Sequence, residues 1–236
     1  MRHFGISHYV KDENQTLVEI NRLEDLGFQL LPDWSDNELI KGLSELIIAG
    51  IHIAGIVFIV AILFSERWSH REIFGVNILV RLVYCYATVH IFRSVSYLST
   101  SLPGPAAHCV DPLIEEQHKP KTIYDLFVQT DVFGNCGDLI YSGHMAGITT
   151  VSCTIIFYFN KLLQDNPTYE TSWWYFNTPL PVIVLTIVCG ITIFIQALFC
   201  IGTRNHYTVD TFLGIIIGYW NFIWHLFVLR PTDMSI

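Results

Sequence analysis

Apolar residues in this chain gather into long, nearly unbroken runs, not into the spaced stripes of a surface helix or the alternation of a half-buried strand. A run of about 20 apolar residues is long enough to cross a lipid bilayer as a helix. Five such runs are present, at 43–64, 73–92, 139–159, 181–201 and 209–229. The pattern predicts an all-α, polytopic transmembrane helical bundle with five spans. One membrane domain covers residues 43–230, after an N-terminal segment 1–42 and before a short tail 231–236. The third and fifth runs open on polar residues: Ser142 and His144 in one, Asp210 in the other. Polar groups at membrane depth are costly and mark working sites.

Composition supports the membrane reading. Apolar residues make up 52% of the 236 and charged residues only 14%, against about 25% charged in an ordinary soluble domain. The net charge of −8 argues against nucleic acid as a partner, because phosphate backbones recruit Lys and Arg. Basic residues set the expected orientation. Arg67 and Arg71, Lys161, and Arg230 lie in the links and tail that belong together on the cytoplasmic side. The acidic loop 93–138 and the link 202–208 then face the lumen or exterior. An odd number of spans places 1–42 there too, either translocated or preceded by a span absent from this sequence. Asn14-Gln15-Thr16 is a glycosylation sequon suited to that side, though such tripeptides are common by chance. Cys85, Cys153, Cys189 and Cys200 lie in apolar runs and read as small buried hydrophobes. Cys109 and Cys136 share the polar loop, where an oxidising lumen permits a disulfide between them.

Two clusters carry chemistry, and the orientation places both at one membrane face. The first runs from Cys136 through Gly137, Asp138, Ser142 and Gly143 to His144; the second holds Arg204, Asn205, His206, Tyr207, Thr208 and Asp210. His206 and Asp210 are four residues apart and become neighbours on a helix. A carboxylate beside an imidazole fixes its tautomer and stabilises its cation, which suits His206 as a nucleophile towards phosphorus. Gly143 lets backbone N–H groups close on a phosphate at a helix start, and Arg204 offers a guanidinium fork to phosphate oxygens. A lone interfacial histidine is usually just that; two at one face with a carboxylate one turn on are not. Two His and an Asp can also bind zinc, but the accompanying glycine, serine and arginine suit an anion better. Arg93 could reach the same phosphate or snorkel to the interface. Asp138 shapes the site or caps the helix. Arg81, inside the second run, reads as turned into the bundle and paired, with a functional role open. Trp173 and Trp174 read as interfacial anchors.

These residues resemble the sphingomyelin synthase family, a branch of the lipid phosphate phosphatase, or PAP2-like, superfamily. Cys136-Gly137-Asp138 through Ser142-Gly143-His144 looks like its third signature block, and His206-Tyr207-Thr208-Val209-Asp210 like its fourth. Arg93 with Thr100, Leu102, Pro103 and Pro105 resembles the second block, and Leu31-Pro32-Asp33 the end of the first. The resemblance covers about residues 30 to 230. Departures are Met145, where the family usually has threonine, a tyrosine displaced to Tyr97, and a count of five spans where the family has six. The resemblance implies a catalytic triad of His144, His206 and Asp210. Substrate or phosphate contacts are expected from Arg93, Asp138, Ser142, Gly143, Arg204 and Tyr207, with no metal and no cofactor. It implies a Golgi or plasma-membrane transferase moving phosphocholine from phosphatidylcholine to ceramide, giving sphingomyelin and diacylglycerol through a phosphohistidine. A homo-oligomer is compatible with it. Ethanolamine or inositol head groups, a lipid phosphatase, and an inactive membrane relative are the alternatives it leaves open.

Overall fold

The computed structural model describes residues 8–11, 17–20, 24–64, 72–99, 140–164, 174–175 and 178–228. The expected disulfide pair Cys109–Cys136, the sequon, Asp138, Arg67, Arg71, Arg230, Trp173 and most of the second signature block lie outside them. Five described helices are long and apolar enough to span a membrane: α2 (Glu38–Phe64), α3 (Glu72–Ser99), α4 (Gly143–Gln164), α5 (Leu180–Gly202) and α6 (Thr208–Val228). A short helix, α1 (Leu26–Leu30), precedes them. Two small antiparallel pairs complete the described elements, β1 (His8–Lys11) with β2 (Leu17–Ile20), and β3 (Trp174–Tyr175) with β4 (Thr178–Pro179).

The helix starts follow from their caps. Asn37 Oδ1 accepts from the backbone N–H groups of Leu39 and Ile40, so α2 begins several residues before its apolar run. Ser142 Oγ accepts from the Met145 N–H at 3.3 Å. The third span therefore starts as a helix at Gly143, not at the apolar Leu139. Arg81 is buried as expected, donating from Nη1 to the Tyr158 hydroxyl, with its guanidinium 5.6 Å from that ring's centre. Cys85, Cys189 and Cys200 are buried free thiols; Cys153 is half-buried and also free.

α4 is the central helix, packed against α2, α3, α5 and most extensively α6. Two glycines explain that last contact. A Cβ on Gly214 would lie 2.6 Å from the Ser142 carbonyl oxygen, and one on Gly218 2.5 Å from the Ala146 carbonyl oxygen. Where lipid surrounds both helices, small residues four apart let backbones approach closely enough for dispersion to hold them. Thr150 Oγ1 adds a bond to the Gly218 carbonyl at 3.3 Å. The starts of α4 and α6 thus stand side by side, with the end of α5 leading directly into α6.

Candidate active site

The two polar clusters meet at this end of the bundle. The Ser142 N–H donates to the Asp210 carbonyl at 2.9 Å, joining the start of α4 to the first turn of α6 through backbone alone. The rings of His144 and His206 stand 6.1 Å apart between centres, at 68° to one another. Two rings this close can both act on one bound group. His206 is buried and Asp210 is 1% exposed. Asp210 Oδ2 accepts the Tyr207 N–H at 3.0 Å and lies 3.9 Å from His206 Nδ1. The carboxylate is therefore fixed by the backbone and faces Nδ1, leaving Nε2 as the ring nitrogen for chemistry. Burial pushes the His206 pKa down to about 3, with the charges of His144 and Arg93 acting in the same direction; the Asp210 carboxylate works against them. At neutral pH His206 is an uncharged imidazole with a lone pair.

Arg93, near the C-terminal end of α3, lies over the start of α4. A Cβ on Gly143 would fall 2.7 Å from Arg93 Nη1, so glycine is what admits the guanidinium here. A cation beside a helix N-terminus is unfavourable by itself. An anion between the two reverses that sign, so the arrangement of Arg93, Gly143, His144 and His206 suits a phosphate.

Arg204 is placed differently. Its guanidinium reaches the N-terminal segment, donating from Nη2 to the carbonyls of Phe28 at 3.1 Å and Leu31 at 3.2 Å. It lies 4.3 Å from the centre of the Phe28 ring and pairs through Nε with Asp33 at 3.6 Å. Its backbone takes the left-handed conformation, φ 59°. Arg204 therefore holds the N-terminal segment, where phosphate binding had been expected of it. That segment forms a strap across the site. Asp25 accepts from the Thr208 N–H at 2.7 Å and from Thr208 Oγ1 at 2.5 Å, capping α6 from 183 residues away. Phe28 stacks on Tyr207 at 5.4 Å. The Trp34 N–H donates to the Gly202 carbonyl at 2.8 Å, with the indole over Gly202. Tyr207, expected at the substrate, is buried beneath this strap.

The geometry brings together His144, His206, Asp210, Arg93, Ser142, Gly143 and Tyr207. Sequence reasoning missed Asp25, Phe28 and Trp34. Asp25 ahead of Leu26-Gly27-Phe28 carries a readable cap signal, but nothing local points to its second partner on α6. It also missed Gly214 and Gly218, a glycine pair spaced four apart inside an apolar run, which is readable.

A family model described as "PAP2 superfamily C-terminal" matches residues 135–227, the stretch holding both histidines. A rice (Oryza sativa subsp. indica) phosphatidylinositol:ceramide inositolphosphotransferase is 27% identical over 194 residues, 80% of this chain and 51% of the relative. A Caenorhabditis elegans putative phosphatidylcholine:ceramide cholinephosphotransferase 3 is 28% identical over 155 residues, covering 61% and 38%. A Trypanosoma brucei phosphatidylethanolamine:ceramide ethanolaminephosphotransferase is 29% identical over 145 residues, covering 61% and 39%. The chain spans about half the length of the first of these relatives. No solved structure is significantly similar. With paired histidine blocks converging at one end of a membrane bundle, and relatives of this kind matching most of its length, the chain is similar to sphingolipid synthases of the PAP2-like superfamily.

Proposed function

We propose that this chain transfers a phospho-head group from a glycerophospholipid to ceramide through a phosphohistidine on His206. The observation that carries the reading is the facing pair of rings, His144 and His206, 6.1 Å apart beside a buried carboxylate. His206 Nε2 attacks phosphorus, and the bond from phosphorus to the glycerol oxygen breaks. His144 delivers a proton to that oxygen, releasing diacylglycerol. Asp210, behind Nδ1, stabilises the positive charge that the ring acquires. The ceramide primary hydroxyl then attacks phosphorus as His144 takes its proton, and the phosphorus–nitrogen bond breaks. Arg93 and the start of α4 hold the non-bridging phosphate oxygens.

The orientation from basic loops puts this chemistry at the lumenal or exterior leaflet, in the Golgi or plasma membrane. Phosphocholine from phosphatidylcholine is the transfer implied by the resemblance. The relatives' names span inositol, choline and ethanolamine, so the donor is what the assay must resolve. Purified protein is given labelled ceramide with each of the three phospholipids. Labelled sphingolipid supports transfer; free head group or phosphate alone overturns it in favour of hydrolysis. His144→Ala, His206→Ala and Asp210→Ala each abolish product, and non-additively, because the three act as one unit. Double variants far below the singles would break the shared-site reading.

A further inference from the structure

One helical turn inward from His144, a polar pair stands outside the phosphate chemistry. His52 on α2 and Tyr86 on α3 meet beside Gly147 of α4. His52 Nδ1 lies 2.7 Å from the Ile48 carbonyl oxygen, an atom that only accepts, so Nδ1 carries the proton. In the neutral ring Nε2 is then an acceptor, and the Tyr86 hydroxyl donates to it. With its hydrogen committed, Tyr86 Oη shows the surroundings only lone pairs. A Cβ on Gly147 would lie 3.3 Å from Tyr86 Oη and 3.4 Å from His52 Nε2, so the pair rests directly on the histidine-bearing helix. Both side chains are half-buried, and His52 is flanked on α2 by Ile51, Ile53 and Ala54. A polar pair in such a run is costly unless it is used.

We propose that Tyr86, its hydroxyl aimed by His52, is a specificity-determining hydrogen-bond acceptor for the donor groups of the acceptor lipid's backbone. The proposal rests on the reading of ceramide as acceptor. Ceramide carries an amide N–H and a secondary hydroxyl a few bonds from its reacting primary hydroxyl. Diacylglycerol has ester oxygens at the corresponding places, and these only accept. A lone pair facing them pairs with ceramide and opposes diacylglycerol, which favours exchange of product for substrate after the first half-reaction. The depth fits. Gly147 follows His144 by three residues, a rise of about 4.5 Å, and a hydrogen bond adds about 3 Å. A lipid with its primary hydroxyl at His144 places its amide within that reach.

The test uses the purified full chain and Tyr86→Phe. Acceptors are ceramide and a ceramide methylated at both the amide nitrogen and the secondary hydroxyl. The wild-type protein should show a KM about tenfold lower for ceramide than for the methylated lipid, the size of one hydrogen bond. Tyr86→Phe should have equal KM for both, with release of diacylglycerol in a single turnover unchanged within about twofold. An undiminished preference in Tyr86→Phe overturns the proposal. In His52→Ala the phenol hydrogen is freed to donate, so preference for ceramide over diacylglycerol should narrow; an unaltered preference also counts against it. Fluorescent-ceramide displacement from His206→Ala, with and without Tyr86→Phe, separates the two layers. Discrimination at Tyr86 together with a wild-type protein that transfers no head group keeps this inference and removes the proposed function. Transfer with no discrimination at Tyr86 does the reverse.

Discussion

Arg204→Ala should undock the strap from the site while leaving the membrane bundle folded. Arg204 gives two charge-assisted bonds to the carbonyls of Phe28 and Leu31. Such bonds contribute about 1.5–3 kcal/mol each when geometry is good, and both here are on the long side. The cation over Phe28 adds about 1 kcal/mol. The Asp33 pair adds little, because the Asp33 side chain is 56% exposed. Together these hold the strap by about 4 kcal/mol, roughly a thousandfold in its docking equilibrium. Asp25 and Trp34 remain as anchors, so undocking is partial and local. Hydrogen exchange over residues 24–37 in detergent should rise by orders of magnitude in Arg204→Ala, while exchange in α4 stays slow. Activity should fall with it, since Asp25 caps the helix that carries Asp210. Arg204→Lys should restore little of either, as an ammonium cannot serve two carbonyls and stack on a ring together. If exchange over 24–37 is unaltered and only KM for the phospholipid rises, Arg204 is a phosphate ligand and the clamp reasoning is wrong.

Asp25→Ala should cost about 1 kcal/mol as a lost cap and lower kcat more than KM, since its target is Thr208 and not substrate; a pure KM effect would contradict this. Gly214→Ala puts a methyl 2.6 Å from the Ser142 carbonyl, so it should cost about 1–3 kcal/mol and displace His144. Gly190→Ala, with open space around it, should do neither in a thermal-unfolding assay. Acid should destabilise the fold through His206. Its folded pKa is about 3 against 6.5 when unperturbed, so between those values the unfolded chain binds a proton that the folded chain excludes. Stability from this group then falls as pH falls, by up to about 1.4 kcal/mol per pH unit. His206→Asn should flatten that slope in melting temperature, and parallel slopes would refute the shift.

The spans were legible because bilayer thickness imposes a length that apolar runs either meet or miss. Their ends were less so, since Ser142 and Asn37 are caps whose side chains act on N–H groups outside the apolar run. The pairing of His144 with His206 was legible from charge bias and span parity, which put two distant blocks at one face. The strap contacts of Arg204 were not legible, for a physical reason. A guanidinium next to a histidine looks the same in sequence whatever it binds, and the carbonyls that Arg204 reaches are 173 and 176 residues away along the chain. The strap could not be read at all, because Asp25 and Thr208 are joined only through the fold.

The resting site separates fixing the carboxylate from using it. Asp210 is held by the Tyr207 N–H at 3.0 Å while His206 Nδ1 waits at 3.9 Å. At that distance the bond from Nδ1–H to the carboxylate is not yet made, and the neutral ring presents its Nε2 lone pair to phosphorus. Held back, and surrounded by buried residues, the ring stays neutral. Once Nε2 bonds to phosphorus the ring becomes cationic, and attraction to Asp210 strengthens in a site of low dielectric. A shift of about 1 Å then closes the gap to hydrogen-bond distance. The interaction is thus weak before the chemistry and strong after it, which is the difference that lowers a barrier. That makes the rigidity of the Tyr207–Asp210 turn, and so the strap stacked upon Tyr207, part of the catalytic apparatus without touching the lipid.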